Sequence, residues 1–246
     1  MGAANGKQWV MLVAGSNTWD NYGDQANVCH AYQIVHQNGI PDDQIVVMMY
    51  DDIAYNKNNP YPGNIINKPN GPNVYPGVPK DYTGEDVTPD NFLAALKGDR
   101  CAVKKRNPKV ITSEGNDTIF IYLTGHGGLG RFCFPNSTLY ASDLIETIKD
   151  MARDNKFSKM VIYMESCYSG SMFTTLPNNI HDNVIRSRQP PQSDIVPNAT
   201  VTSSPKNEPM LIGYTHISTE GREMYSQEPM PVLHSAQTHE INSYQH

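Results

Sequence analysis

"KMVIYMESCYSGSMF", residues 159–173, decides how this chain is read. An apolar run ends there on a glutamate and a single cysteine, followed by a string of small residues. Residues 160–164 show no apolar/polar alternation, which predicts a short strand buried on both faces of a sheet. Glu165, Ser166 and Cys167 then fall where that strand leaves the sheet, and in open parallel sheets ligands bind at the carboxyl ends of strands. The alternative for Cys167 is a core cysteine, because free cysteine is among the most buried residue types.

A second strand end resembles the first. "TIFIYLTGHGGLG" is an apolar run that ends on His126 between glycines. A nucleophilic cysteine needs a base and donors for an oxyanion, and the two motifs together supply candidates for both. If the two strands are neighbours, His126 and Cys167 reach the same edge of one sheet. A glycine beside the histidine lets a backbone N–H approach a carbonyl oxygen closely, so Gly127 is the natural donor. Gly125, Gly127 and Gly130 also satisfy the dinucleotide pattern GxGxxG. That pattern should open a helix, whereas "RFCFPNSTLY" reads as extended chain closed by a Pro-Asn turn.

The rest of the first 180 residues alternates strand and helix signals. "QWVMLVAGS" and "QIVVMMYDD" read as buried strands. "YGDQANVCHAYQIVHQNGI" spaces Ala26, Cys29, Ala31, Ile34 and Val35 at helical intervals, with Gly39 as a C-terminal cap. "TPDNFLAALKG" opens with Thr88 as N-cap and Pro89 at the first helical position, and Gly98 closes it. "YASDLIETIKDMARDN" is a further amphipathic helix. Residues 51–84 are loop by their Asn, Pro and Gly content. The alternation predicts an α/β fold, with a mostly parallel central sheet and helices on both faces. Beyond residue 180 no period is sustained. Residues 181–246 read as an irregular polar tail, perturbed only by "MLIGYTHI", one short strand at most.

Composition narrows the function classes. The net charge of −6 and a lone basic run, Lys104, Lys105 and Arg106, give no phosphate-binding face, which argues against a nucleic-acid partner. No apolar run approaches the roughly 18 residues of a membrane span. Cys29, Cys101, Cys133 and Cys167 are widely separated without a CxxC pair, so neither a zinc site nor a disulfide framework is expected. No metal or cofactor is implied. The histidines other than His126 share no ligand-like spacing, and the Asp51–Asp52 pair reads as a turn that starts a loop rather than a metal site. Residues 1–10 contain no secretory signal, and Gly6 stands where a myristoylation motif needs Ser or Thr. Asn116, Asn136 and Asn198 head sequons that matter only in a secretory compartment.

Three stretches carry a resemblance to a known family: residues 13–99, "FIYLTGHGGLG" and "ESCYSGSMF". They resemble the legumain family of asparaginyl endopeptidases, or vacuolar processing enzymes, of animal type. The likeness covers residues 7–180, which would form the peptidase core. It implies a caspase-like three-layer α/β sandwich, with His126 as general base and Cys167 as nucleophile. Asn21 matches the position that orients the histidine, Gly127 and the Cys167 amide match the oxyanion hole, and Glu165 matches a substrate-binding position. The implied activity is hydrolysis of peptide or protein substrates after Asn, without a metal. The implied compartment is endolysosomal, vacuolar or secreted.

The departures shape the expectation. The family's "NYRHQ" reads "NYGDQ", so Gly23 and Asp24 stand in place of two groups that help hold the substrate side chain. "DHG" reads Gly125-His126-Gly127, and "EACES" reads "ESCYS". Weak hydrolysis with poor selectivity for Asn is therefore expected, and a catalytically silent relative or truncated isoform is the alternative. "TGHGG" also resembles the glycosylphosphatidylinositol transamidase subunit family, but residues 50–98 favour the first family.

Overall fold

The computed structural model describes residues 6–177, Ile180, and the strand segments 184–187, 216–217 and 223–224. Five parallel strands form the central sheet in the order β2-β1-β3-β7-β8. They are β1 (Gln8–Ala14), β2 (Ile45–Met48), β3 (Thr118–Thr124), β7 (Lys159–Glu165) and β8 (Val184–Ser187). β1, β2 and β3 are almost wholly buried, as expected of strands covered on both faces and lacking alternation. A three-stranded antiparallel sheet, β4 (Gly127–Gly128), β5 (Arg131–Phe134) and β6 (Ser137–Tyr140), follows β3 directly. The glycines after β3 thus lead into a hairpin rather than a helix, against a dinucleotide turn.

Helices cover both faces. On one side α1 (Tyr22–Gln37) packs Ala26, Val28, Cys29 and Ala31 against Val10, Leu12, Val47, Phe120 and Tyr122. On the other, α2 (Pro89–Lys97) and α3 (Ala141–Arg153) bury Phe92, Leu96, Leu144, Ile148 and Met151 against Met11, Val13, Ile121 and Ile162. Successive residues of one strand serve opposite cores, which is why the sequence shows runs and not alternation. The fold is the caspase-like α/β sandwich.

Helix boundaries follow from capping chemistry. Thr88 accepts a hydrogen bond from the Asn91 amide at 3.2 Å, and Pro89 occupies the first turn. Gly98 closes α2 with φ 80°, where an added Cβ would also lie 2.5 Å from the Ile111 carbonyl. Gly39 follows α1 with φ 89°.

Val184–Ser187 departs from the sequence reading, whereas the strand at the end of "MLIGYTHI" falls where the sequence allows one short strand. Val184–Ser187 lies past residue 180 and pairs in parallel with β7, from Met160↔Val184 to Tyr163↔Ser187. Its four residues are too few to carry a period of their own, and only the neighbouring strand reveals them. His216–Ile217 (β9), at the end of "MLIGYTHI", pairs antiparallel with Glu223–Met224 (β10). The remainder of the tail lies outside the described residues. Among the described residues no helix is long and apolar enough to cross a membrane.

Candidate active site

Register brings the two strand ends together. β3 and β7 are parallel neighbours from Thr118↔Lys159 to Thr124↔Glu165. His126 and Cys167 each lie two residues beyond the last pair. The Gly125 amide donates to the Glu165 carbonyl at 3.0 Å, so the strands stay coupled as the chains leave the sheet. One step further, a Cβ placed on Gly127 would sit 2.5 Å from the Cys167 carbonyl oxygen and 2.9 Å from Ser166 Oγ. The His126 and Cys167 loops therefore touch at Gly127, and both side chains are exposed at that edge.

The small residues after Cys167 build the turn that presents it. Tyr168 adopts φ 57°, and a 3-10 helix, Ser169–Phe173, starts at once. Ser169 is fully buried. Ser171 Oγ donates to the Tyr168 carbonyl at 2.6 Å and accepts from the Gly130 amide at 2.8 Å. A larger residue at 169 or 171 would part the cysteine loop from the glycine loop, while Met172 and Phe173 anchor the segment in the core.

Asn21, the residue just before α1, reaches the same edge. Its Oδ1 lies 2.7 Å from His126 Nε2. The Asn21 amide nitrogen donates to the Asn17 carbonyl at 2.8 Å, and this orients Oδ1 toward the ring. An oxygen that only accepts requires Nε2 to carry the proton. In the neutral ring the lone pair is then on Nδ1, the tautomer a general base needs.

Two acids and several hydroxyls underlie this edge. Tyr122 OH donates to Glu165 Oε2 at 2.7 Å. Asp24 accepts from Thr124 Oγ1 at 3.1 Å and from Ser16 Oγ at 2.5 Å. Burial raises the Asp24 carboxyl above its usual range, against which the two hydroxyls and the nearby His126 act to lower it. Asp24 thus faces the strand ends and does not stand open as a free charge. Asp52 accepts from Gln25 Nε2 at 2.6 Å and from the Thr18 amide at 2.7 Å, which ties the loop after β2 to the start of α1. Among the described residues no group of three His, Cys, Asp or Glu side chains is placed to hold a metal ion. Ser16 and Thr124 escaped the sequence reading. The one available signal was a polar residue closing each apolar run, and it does not say what the hydroxyl meets.

The thiols differ sharply. Cys29 is fully buried on α1, its Sγ 3.7 Å from Met49 Sδ, and burial pushes its thiol up to about 12. Alkylation near neutral pH followed by peptide mapping is expected to modify Cys167 first and to leave Cys29 unmodified until the chain unfolds. Equal labelling of all four cysteines in the folded protein would contradict this. Ser166 Oγ is buried and has no hydrogen-bond partner among the described residues. Ser166→Ala removes that stranded hydroxyl and is expected to raise stability by about 1 kcal/mol, read as a higher midpoint in urea.

Comparison with known proteins identifies the family. The Peptidase C13 family model matches residues 8–194. The chain is 58% identical to human (Homo sapiens) legumain over 189 residues, 76% of this chain and 44% of that protein. It is 53% identical to legumain of Canavalia ensiformis over 169 residues, 68% of this chain and 36% of that protein. With the vacuolar-processing enzyme beta-isozyme 1 of Oryza sativa subsp. japonica it shares 49% over 206 residues, 83% of this chain and 40% of that protein. The chain spans less than half the length of these relatives. On the family match, these identities and a sheet that delivers both motifs to one edge, the chain belongs to the Peptidase C13 family.

Proposed function

We propose that this chain is a cysteine endopeptidase core acting on peptide or protein substrates. Cys167 is the nucleophile and His126 the general base, with Asn21 orienting the ring. The observation that carries the reading is the 2.7 Å contact of Asn21 Oδ1 with His126 Nε2, which leaves Nδ1 free at the edge where Cys167 emerges. Nδ1 takes the Cys167 proton and the sulfur attacks the scissile carbonyl, giving a tetrahedral oxyanion. The Gly127 and Cys167 amides are the donors for that oxygen. Collapse forms a thioester as the imidazolium passes its proton to the leaving amine. Water, deprotonated by the same nitrogen, then releases the acid and restores the thiol.

The preferred substrate residue is Asn by family membership, with Glu165 beside the side chain it receives. Gly23 offers no side chain, and the Asp24 carboxylate is already occupied by Ser16 and Thr124, so an amide side chain finds few partners from this helix. A site that hydrogen-bonds a substrate group can reject analogues lacking it by roughly 10⁴-fold. With those partners missing, hydrolysis is weak and only modestly selective for Asn. The setting in this reading is an acidic endolysosomal or vacuolar compartment, or the outside of the cell after secretion.

A peptide panel differing only at the residue before the scissile bond, assayed at acidic pH, tests the reading. Slow turnover with a preference for Asn over Ala of less than about 100-fold is expected. Strict, efficient cleavage after Asn would refute the loss of selectivity. Absence of turnover across the panel would leave the silent relative as the better reading.

A further inference from the structure

The contact between Asn21 and His126 depends on where the start of α1 sits, and one side chain ties that start to two strand ends. Asn21 and Asp24 are three residues apart, so they lie on the same face of the first helical turn. Thr124 and His126 are two residues apart at the end of β3. The pairs match as two rungs: Thr124 Oγ1 donates to Asp24 Oδ1 at 3.1 Å, and His126 Nε2 meets Asn21 Oδ1 at 2.7 Å. Ser16 Oγ, at the end of β1, donates to the other Asp24 oxygen. Ser16 and Thr124 are buried and Asp24 is half-buried, so both donors are largely shielded from bulk water. A carboxylate in the first turn is also favoured by the helix dipole.

We propose that Asp24 is a positioning residue for His126: by bridging Ser16 and Thr124 it fixes the first turn of α1 against β1 and β3, and so holds Asn21 at bonding distance from the imidazole. The proposal rests on the assignment of Cys167 and His126 as the reacting pair. Gly125, between Thr124 and His126, cannot take over this role. A Cβ there would already lie 3.2 Å from Gly15 Cα and from the Phe132 ring. The support therefore comes from the helix side. Gln25, the next residue, reaches Asp52 on the far side of the turn, so Asp24 adds hydrogen bonds at the strand ends to the apolar packing of α1 on β3.

The test measures alkylation of Cys167 by iodoacetamide at about pH 6, well below the midpoint of every variant's thermal transition. This readout needs no peptide turnover, so it separates from the outcome of the peptide panel. Asp24→Ala removes both bonds and is expected to slow alkylation roughly tenfold, because a displaced histidine no longer assists the thiol. Asp24→Asn keeps the shape, accepting from Thr124 and donating to Ser16, and is expected to stay within about threefold of the parent. A merely structural role would lower the melting temperature of Asp24→Ala and leave the alkylation rate of its folded form unchanged. Equal rates in the parent and Asp24→Ala, or an Asp24→Asn variant no better than Asp24→Ala, overturn the proposal. Should Asp24→Ala fail to fold, Thr124→Val carries the test, since it deletes one donor at nearly constant volume. Its expected result is a several-fold loss, and parity with the parent overturns the proposal.

Discussion

Cys167→Ala is expected to reduce peptide hydrolysis by roughly 10³-fold or more while leaving the fold intact, because the residue that would form the thioester is gone and nothing nearby can replace it. Cys167 is exposed, so trimming it to a methyl opens no cavity, and the thermal transition should move little. The other three thiols cannot substitute. Cys29 is sealed under α1, Cys101 lies in the loop after α2, and Cys133 lies within β5 with its backbone amide on the His126 carbonyl, so none of them follows β7. Steady-state hydrolysis of the best peptide in the panel, with circular dichroism as the folding control, measures both halves of the statement. Retention of more than a few per cent of the activity would remove Cys167 from the mechanism.

Gly127→Ala carries the second largest expected effect, for a steric reason. The added methyl would lie 2.5 Å from the Cys167 carbonyl oxygen, 2.9 Å from Ser166 Oγ and 3.0 Å from Ser166 Cβ. Ser166 is buried and the carbonyl belongs to the backbone, so neither yields cheaply, and the loops must separate. Separation moves the proposed amide donor away from the carbon attacked by Cys167. Loss of one oxyanion donor alone lowers kcat by about 10²–10³-fold. Overpacking of this kind also costs about 1–3 kcal/mol of stability. The expected result is a kcat at least about 100-fold lower, with a reduced urea midpoint. An alanine variant with parental kcat would show that the two loops need not stay in contact.

Both effects concern an edge whose ingredients were legible before any coordinates. The motif glycines, His126 and Cys167 announce themselves because each closes an apolar run, and Asn21 entered through the family resemblance. Their juxtaposition is a different matter. Nothing in "TIFIYLTG" or "KMVIYME" says that these strands are neighbours, and His126 and Cys167 reach one sheet edge only because they are.

What the sequence determined by itself is local. Runs of Val, Ile and Met define strands buried on both faces. Thr88, Pro89 and Gly98 bound α2, and Gly39 follows α1, because caps depend on backbone groups within a few residues. The oppositely facing cores follow from the period of two along each strand. Tertiary structure decided whatever rests on partners distant in the chain. The family resemblance places Asp24 at a substrate-holding position, and its partner Thr124, 100 residues away, is set only by the fold. Asn21 and His126, 105 residues apart, meet only through the packing of α1 on the sheet. Val184–Ser187 has no pattern of its own and becomes a strand by borrowing the exposed hydrogen-bonding edge of β7. A hydrophobic period is written into successive residues, whereas a hydrogen bond across the fold depends on strand order and register, which packing of the whole core selects.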